Sequence, residues 1–482
     1  MPNHLSFSIR RDQLTSRILI PKYYDPELTE SLGVAEQQFE LVPLRELLEP
    51  GDAGSRLGDW IRREHYGSGE IPFVRTSDLS HWRVRADFKK GVSEDIYLEY
   101  AAKQDVRAND ILMVAHGTYL VGAVAIVTAS ETRMVLQDHV FRLRLCEDAP
   151  VSAHYLLAAL TTSFCRRQIR ARQFSADIID KIGDRHLEVH VPIPRDQRLV
   201  DTVSTMVRSI VDGQDAARRE ISAVCDSNMR MLRERAEARF AFAVPVAGIR
   251  NRVLLPKYYD PVLEAALTQA EAADTEPWVT VGDLVEQGML SAATGIEVGK
   301  LAYGTGTIPF LRTSDIADLE VKRDPKQGVS EAIYHEHALK AAVESEDLLL
   351  VRDGTYLVGS TAIVGADVGR ALVCGGLYRL RVRDRERLDP YVLLALLNHP
   401  LARRQMRARQ FTRDVIDTLG KRLLEVKIPS PFSDSAREKG RRLAEVMQHK
   451  TELKSQISAA IALLEPPIPP VARGRPGWSM RG

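Results

Sequence analysis

Two groups of residues in this chain combine charge, hydroxyls and regular spacing. The first is Arg75-Thr76-Ser77-Asp78, which follows Gly67-Ser-Gly-Glu-Ile-Pro-Phe-Val. It recurs as Arg312-Thr313-Ser314-Asp315 after Gly304-Thr-Gly-Thr-Ile-Pro-Phe-Leu, an offset of about 237 residues. A guanidinium fork beside short hydroxyls suits hydrogen bonds to phosphate oxygens and base edges. The second group runs Arg166-Arg-Gln-Ile-Arg-Ala-Arg-Gln-Phe174 and returns as Arg403-Arg-Gln-Met-Arg-Ala-Arg-Gln-Phe411. On a helix, Arg166, Arg170 and Arg172 with Gln173, and Arg403, Arg407 and Arg409 with Gln410, form a dense cationic face. The competing reading is a solvated face balanced by Asp177 and Asp180. Repetition of a nine-residue spelling weighs against it, because solvated surface has no need of a fixed spelling.

A third repeated block, Gly-Thr-Tyr-Leu-Val-Gly at 117–122 and 354–359, reads as a tight turn in which glycine supplies the torsions. Tyr119 and Tyr356 in it remain open as contacts. Where matched segments disagree, the chain has a place to tell two ligands apart. Ala115-His116 stands against Arg352-Asp353, Gln137-Asp138-His139 against Cys374-Gly375-Gly376, and 55–65 against 292–302. Positions that agree hold the fold or touch phosphates, whereas His116, His139, Arg352 and Asp353 are candidates for base contacts.

No catalytic signature accompanies these blocks. There is no Walker A sequence and no HExxH. Tyr24-Asp25-Pro26 has one proline too few, and the wrong order, for the Asp-Pro-Pro-Tyr loop of amino-methyltransferases. The 4 cysteines lie far apart and the 12 histidines lack ligand spacing, so a reduced cytoplasmic chain without a metal site is expected. The net charge of +1 neither announces nor excludes a nucleic-acid partner, since charges segregate onto faces. No apolar run approaches the roughly 20 residues of a membrane helix, and the first residues lack a signal-peptide core.

The elements that must carry these groups follow from periodicity. A loose arm over 1–16 precedes Ile-Leu-Ile-Pro-Lys-Tyr-Tyr-Asp-Pro26, which is matched near 253–261 and reads as an extended segment entering a turn. Tyr23 and Tyr24 are expected to pack at a domain edge. Apolar runs Asp110–Val114 and Asp347–Val351, with alternation at 124–127 and 140–145, predict strands. His154–Leu160 and Pro390–Leu397 have helical spacing, and Glu188–Pro194 and Glu425–Pro431 read as closing edge strands. Leu199, Val203, Met206, Ile210, Ala217, Ile221 and Val224 step by three and four, as do Leu443, Met447, Ile457, Ile461 and Leu464. These narrow seams predict two long helices that pair antiparallel as a coiled coil, with Gly213 a weak point in the first. The expected class is α+β. Two duplicated mixed β/α domains at 17–195 and 244–432 are separated by helices at 196–243 and 433–466, and a disordered tail follows from 467.

In this order, and twice over, the motifs resemble the specificity subunit of type I restriction–modification systems. The resemblance rests on Tyr-Tyr-Asp-Pro, Gly-x-Gly-x-Ile-Pro-Phe-x-Arg-Thr-Ser-Asp, the strand running into Gly-Thr-Tyr, the Arg-Gln-Phe helix, the closing prolines and the helix after them. It covers nearly the whole chain. It implies a subunit that does no chemistry, in which each target-recognition domain reads one half of a bipartite double-stranded DNA site from the major groove. The helices would set the unread spacer and dock two adenine-specific DNA methyltransferase subunits. The chain itself would bind no cofactor; S-adenosylmethionine, ATP and Mg would enter with partner subunits, including restriction (helicase-nuclease) subunits in the full complex. The two copies are more alike than is usual in that family, which leaves related half-sites open. Two other readings stand beside this one: a DNA-sensing subunit of another phage-defence complex, and a non-catalytic protein-binding scaffold. Neighbouring genes separate the first from the main reading, and a steep salt dependence of DNA affinity counts against the second.

Overall fold

The computed structural model describes residues 20–80, 82–86, 90–117, 120–176, 179–225, 242–249, 253–322, 327–354, 357–413 and 416–467, with 9, 11, 14 and 325 singly. Most of the predicted arm and tail, residues 226–241 of the first predicted long helix, and Tyr119 and Tyr356 lie outside the described residues. The chain is a mixed α and β structure in two compact units. One comprises Met1–Val84, Lys90–Asp212 and Ser455–Gly482; the other comprises Arg85–Lys89 and Gly213–Lys454.

In the first unit, the strand Ile111–Val114 is buried on both faces, as its unbroken apolar run requires. It lies between Val140–Leu143 and Val124–Ile126, and Ser55–Leu57 pairs on the far side of Val140–Leu143, all antiparallel. Asp110, just before the central strand, accepts from Arg144 Nε at 2.8 Å and from the Arg107 N–H at 2.7 Å, so its buried carboxylate is structural. A smaller sheet joins Ile71–Val74 to Gly91–Val92 and to Val135–Leu136. Ala153–Thr161 is helical and buried nearly all round, capped by the Ser152 hydroxyl, which accepts from the Tyr155 N–H at 3.1 Å. The closing strand His190–Pro194 pairs with Phe39–Pro43.

The second unit contains a comparable succession of elements, though its main sheet has six strands rather than four. Leu290–Thr294, Leu377–Val382, Leu348–Val351 and Thr361–Ile363 form the corresponding ladder, which continues into Leu319–Val321 and Ile316–Ala317. Ile308–Leu311 again pairs with Gly328–Val329 on one side and with Leu372–Val373 on the other. A polar cluster is built into this unit. Arg85 is fully buried and donates to the Ile316 carbonyl at 2.8 Å, and the Ala86 N–H donates to Asp318 Oδ1 at 3.0 Å. Asp318 also meets Arg218 at 3.3 Å, while Lys450 and Lys454 meet Glu320 at 3.1 and 3.6 Å.

The Tyr-Tyr-Asp-Pro motifs enter a turn from an extended residue, Ile20 or Leu255, as expected, but the turn then feeds a helix that was not. Each is a 3-10 turn, Pro21–Tyr24 or Pro256–Tyr259, that feeds a helix beginning at Pro26 or Pro261. Asp25 and Asp260 cap these helices by accepting from the Glu27 and Val262 N–H groups at 3.0 Å, and proline at the first helical position loses no bond. The long helices are Gln197–Val224 and Asp434–Leu463. Within the second unit, Glu220 meets Arg442 at 2.5 Å, while Gly213 faces His449 and Leu453, so these stretches run in opposite directions. Gly213 interrupts nothing; the helix continues through it.

Candidate nucleic-acid interface

In each unit the repeated block begins where a strand ends. After Ile71–Val74 the chain makes a 3-10 turn over Thr76–Asp78, and after Ile308–Leu311 it does the same over Thr313–Asp315. Buried Asp78 and Asp315 hold these turns by accepting from the Arg75 and Arg312 N–H groups at 2.9 Å. That leaves Arg75, Thr76, Ser77, Arg312, Thr313 and Ser314 half-buried at the loop surface. Arg75 Nε donates to Gln137 Oε1 at 3.4 Å, and Arg312 lies 5.4 Å from the Tyr303 ring centre.

Backbone hydrogen bonds gather further loops beside each turn. In the first unit, Gln137 N donates to Val74 O at 3.0 Å, Asp138 N to Asp59 O at 3.2 Å, Ala115 N to His139 O at 2.9 Å and Gly117 N to Asp180 O at 2.9 Å. In the second, Cys374 N donates to Leu311 O at 2.9 Å, Gly375 N to Ile296 O at 2.8 Å, Arg352 N to Gly376 O at 2.9 Å and Gly354 N to Asp417 O at 2.9 Å. The segments that disagree between the copies, the 115–116 and 352–353 pairs among them, are therefore brought to one place in each unit, on a frame that agrees.

The chemistry on the two frames differs. His116 and His139 meet edge to face with ring centres 4.7 Å apart. Burial, then His139 and Lys181, push the His116 imidazole down to about 4 against the opposing pull of Asp138, so it is neutral near pH 7. Its Nδ1 is buried without a hydrogen-bond partner among the described residues. In the second unit Arg352 donates from Nε to both Asp353 oxygens at 3.0 Å, and glycines stand opposite. Among the described residues, no group of three or more His, Cys, Asp or Glu side chains could hold a metal ion. No helix among them is long and apolar enough to cross a membrane.

The arginine helices, Ser163–Arg172 and Pro400–Arg409, correct the expected cationic face. Arg172 and Arg409 are only 7% and 6% exposed. They lie over the rings of Tyr23 and Tyr258, each at 5.6 Å, and face Glu188 and Glu425 at 3.5 and 3.8 Å. The Tyr23 hydroxyl donates to Glu188 at 2.7 Å, and burial followed by that bond pushes it up to about 12. Gln173 is buried as well, and Gln410 half-buried. Arg403 donates to the Gly359 carbonyl, and Arg404 meets Asp260 at 2.8 Å. Arg166 and Arg170 are half-buried, whereas Arg407 is exposed. These helices pack closely against Gly122 and Gly359: a Cβ on Gly122 would lie 2.9 Å from Ile169 Cγ2, and one on Gly359 would lie 3.0 Å from Met406 Sδ.

One residue at the loop cluster was not singled out by the sequence. Trp60 follows Asp59 in the gathered loop and is 64% exposed, where the other copy has Glu297. An exposed tryptophan inside a segment that differs between copies is the signal that would have found it.

No protein-family model and no curated protein matches the sequence. Among solved structures, the chain is similar to the S subunit of a type-I restriction-modification system from M. genitalium, at 14% identity over 89% of this chain and 96% of that one, with a TM-score of 0.32. It is similar to a chain solved in work on complex assembly and conformational transition of the type I R-M system, at 16% identity over 88% and 94%, with a TM-score of 0.28. It is also similar to the HsdS subunit from Thermoanaerobacter tengcongensis, at 17% identity over 89% and 95%, with a TM-score of 0.26.

Proposed function

We propose that this chain is the DNA sequence-recognition subunit of a type I restriction–modification complex, with each repeat reading one half of a bipartite site. The observation that carries the proposal is the pair of loop clusters. Each is held by the same backbone bonds and capped turn, yet they differ at 115–116 against 352–353 and at 138–139 against 375–376. A shared frame with exchanged tips is what reading two DNA segments requires, because phosphates look alike at both and base edges do not. The long helices, opposed through Glu220 and Arg442, act as a coiled-coil spacer that fixes the unread distance and docks adenine-specific methyltransferase subunits. The chain itself is non-catalytic and binds no cofactor. S-adenosylmethionine is brought by those subunits, and ATP and Mg by restriction subunits where these join.

Sequencing methylated adenines in the host genome, with and without this gene, tests the proposal. The expected result is loss of one bipartite methylation motif when the gene is deleted. An unchanged set of methylated motifs would overturn it.

A further inference from the structure

Two arginines that brace the strands, Arg144 and Arg381, are satisfied along both edges of the guanidinium. Arg144 gives Nε and Nη2 to Asp110 at 2.8 and 2.9 Å and Nη1 to Asp105 at 2.9 Å. Arg381 gives Nε and Nη2 to Asp347 at 2.7 Å each and Nη1 to Glu344. Arg352 differs. Asp353 takes Nε at 3.0 Å and Nη2 at 2.5 Å, which occupies one edge only. The far edge, Nη1 with the second Nη2 hydrogen, has no partner among the described residues, and the side chain is 28% exposed.

The head group is nevertheless aimed. Both the Arg352 and Asp353 N–H groups donate to the Gly376 carbonyl, at 2.9 and 3.2 Å, and the Arg352 carbonyl accepts from Leu419 N at 3.0 Å. The Tyr378 ring lies 5.9 Å from the guanidinium carbon, and its hydroxyl is tied to the Gly420 carbonyl at 2.7 Å. The facing turn admits no side chain without a shift: a Cβ at Gly375 would lie 2.7 Å from Glu297 Oε1, and one at Gly376 would lie 3.1 Å from Thr313 Cγ2. A partly exposed ion pair between adjacent residues adds little stability. Held by a carboxylate on one side, a guanidinium offers two parallel N–H groups end-on, the pattern that matches O6 and N7 of guanine.

We propose that Arg352, aimed by Asp353, reads a guanine in the major groove of the second unit's half-site. The first unit places Ala115 and the His116–His139 pair there instead, so the two half-sites differ at this position. This inference rests on the DNA-reading function proposed above.

The test uses the full chain with its methyltransferase subunits. Duplexes carrying the methylation motif receive 7-deazaguanine at each guanine in turn, which removes N7 and leaves base pairing intact. For the wild-type protein, one substitution in one half-site is expected to weaken binding by about tenfold to a hundredfold. Arg352→Ala is expected to bind both duplexes alike and to accept other bases at that position in methylation sequencing. Arg352→Lys restores charge but not the guanine preference. If Arg352→Ala keeps the full motif, or weakens all sequences equally while the wild type ignores 7-deazaguanine, the inference fails and the DNA-reading function stands. If the wild-type complex shows no sequence preference at all, that function itself fails.

Discussion

At Gln168 and Gln405 the repeated helix spelling has its physical cause. Each amide is fully buried and makes two bonds with the closing strand: Gln168 with the His190 carbonyl and N–H, both at 2.8 Å, and Gln405 with those of Lys427, at 2.7 and 2.9 Å. Arg172 and Arg409 are likewise committed to the tyrosines of the opening turn. The agreement between copies that looked like a binding signal is thus largely a folding requirement. Sequence spacing could not reveal this, because the partners Tyr23 and Glu188 lie in distant segments. What remains for phosphates is the exposed part of the second unit's helix, Arg407 above all. Arg407→Ala should therefore weaken DNA binding evenly across sequences and lower the slope of log affinity against log salt by about 1, in a salt titration of the purified complex. His116→Ala should instead change the preferred base at one position of the first unit's half-site and leave the other half intact. An unchanged motif in methylation sequencing would remove His116 from the reading surface.

Among the elements, those with strong local signals were legible. Ile111–Val114 and Leu348–Val351 are continuous apolar runs entered by a turn-forming Asp, and Pro390–Leu397 is apolar on every face. The opening motif was legible only as far as its turn, because an Asp-capped helix shares the Asp-Pro signature of a plain turn. The gathering of loops was not legible, as it depends on backbone bonds between strands that pair far along the chain. Gly213 was misjudged for a related reason. Its missing side chain weakens an isolated helix, yet in the second unit it lets Leu453 approach, with an added Cβ 3.0 Å from Leu453 Cδ2. Gly213→Leu is expected to cost about 1–3 kcal/mol through overpacking, read as a shift in the denaturant midpoint. A gain in stability would show that the helices are not pressed together there.

For the molecule as a whole, stability toward acid should depend on the polar cluster of the second unit. Burial works against the Asp318 carboxylate, but Arg218, Lys450 and the Ala86 N–H outweigh it and hold the group below the usual carboxylate range. A carboxyl lowered in the folded state stabilises above its unfolded value of about 3.9, and that contribution is lost as pH falls through the folded value. Asp318→Asn should therefore be less stable than wild type near pH 7, by about 3 kcal/mol where Arg218 loses the Asp318 carboxylate, with the gap closing toward pH 2. Parallel denaturation curves across that range would contradict it.

The central claim, two units reading two half-sites, is met most directly by selection from random duplexes. The full chain with its methyltransferase subunits is offered a randomised library, and the bound fraction is sequenced. The account predicts two short blocks of fixed bases at one constant separation, with a guanine in only one block weakened by Arg352→Ala. A single continuous block, or enrichment with no fixed separation, would contradict it.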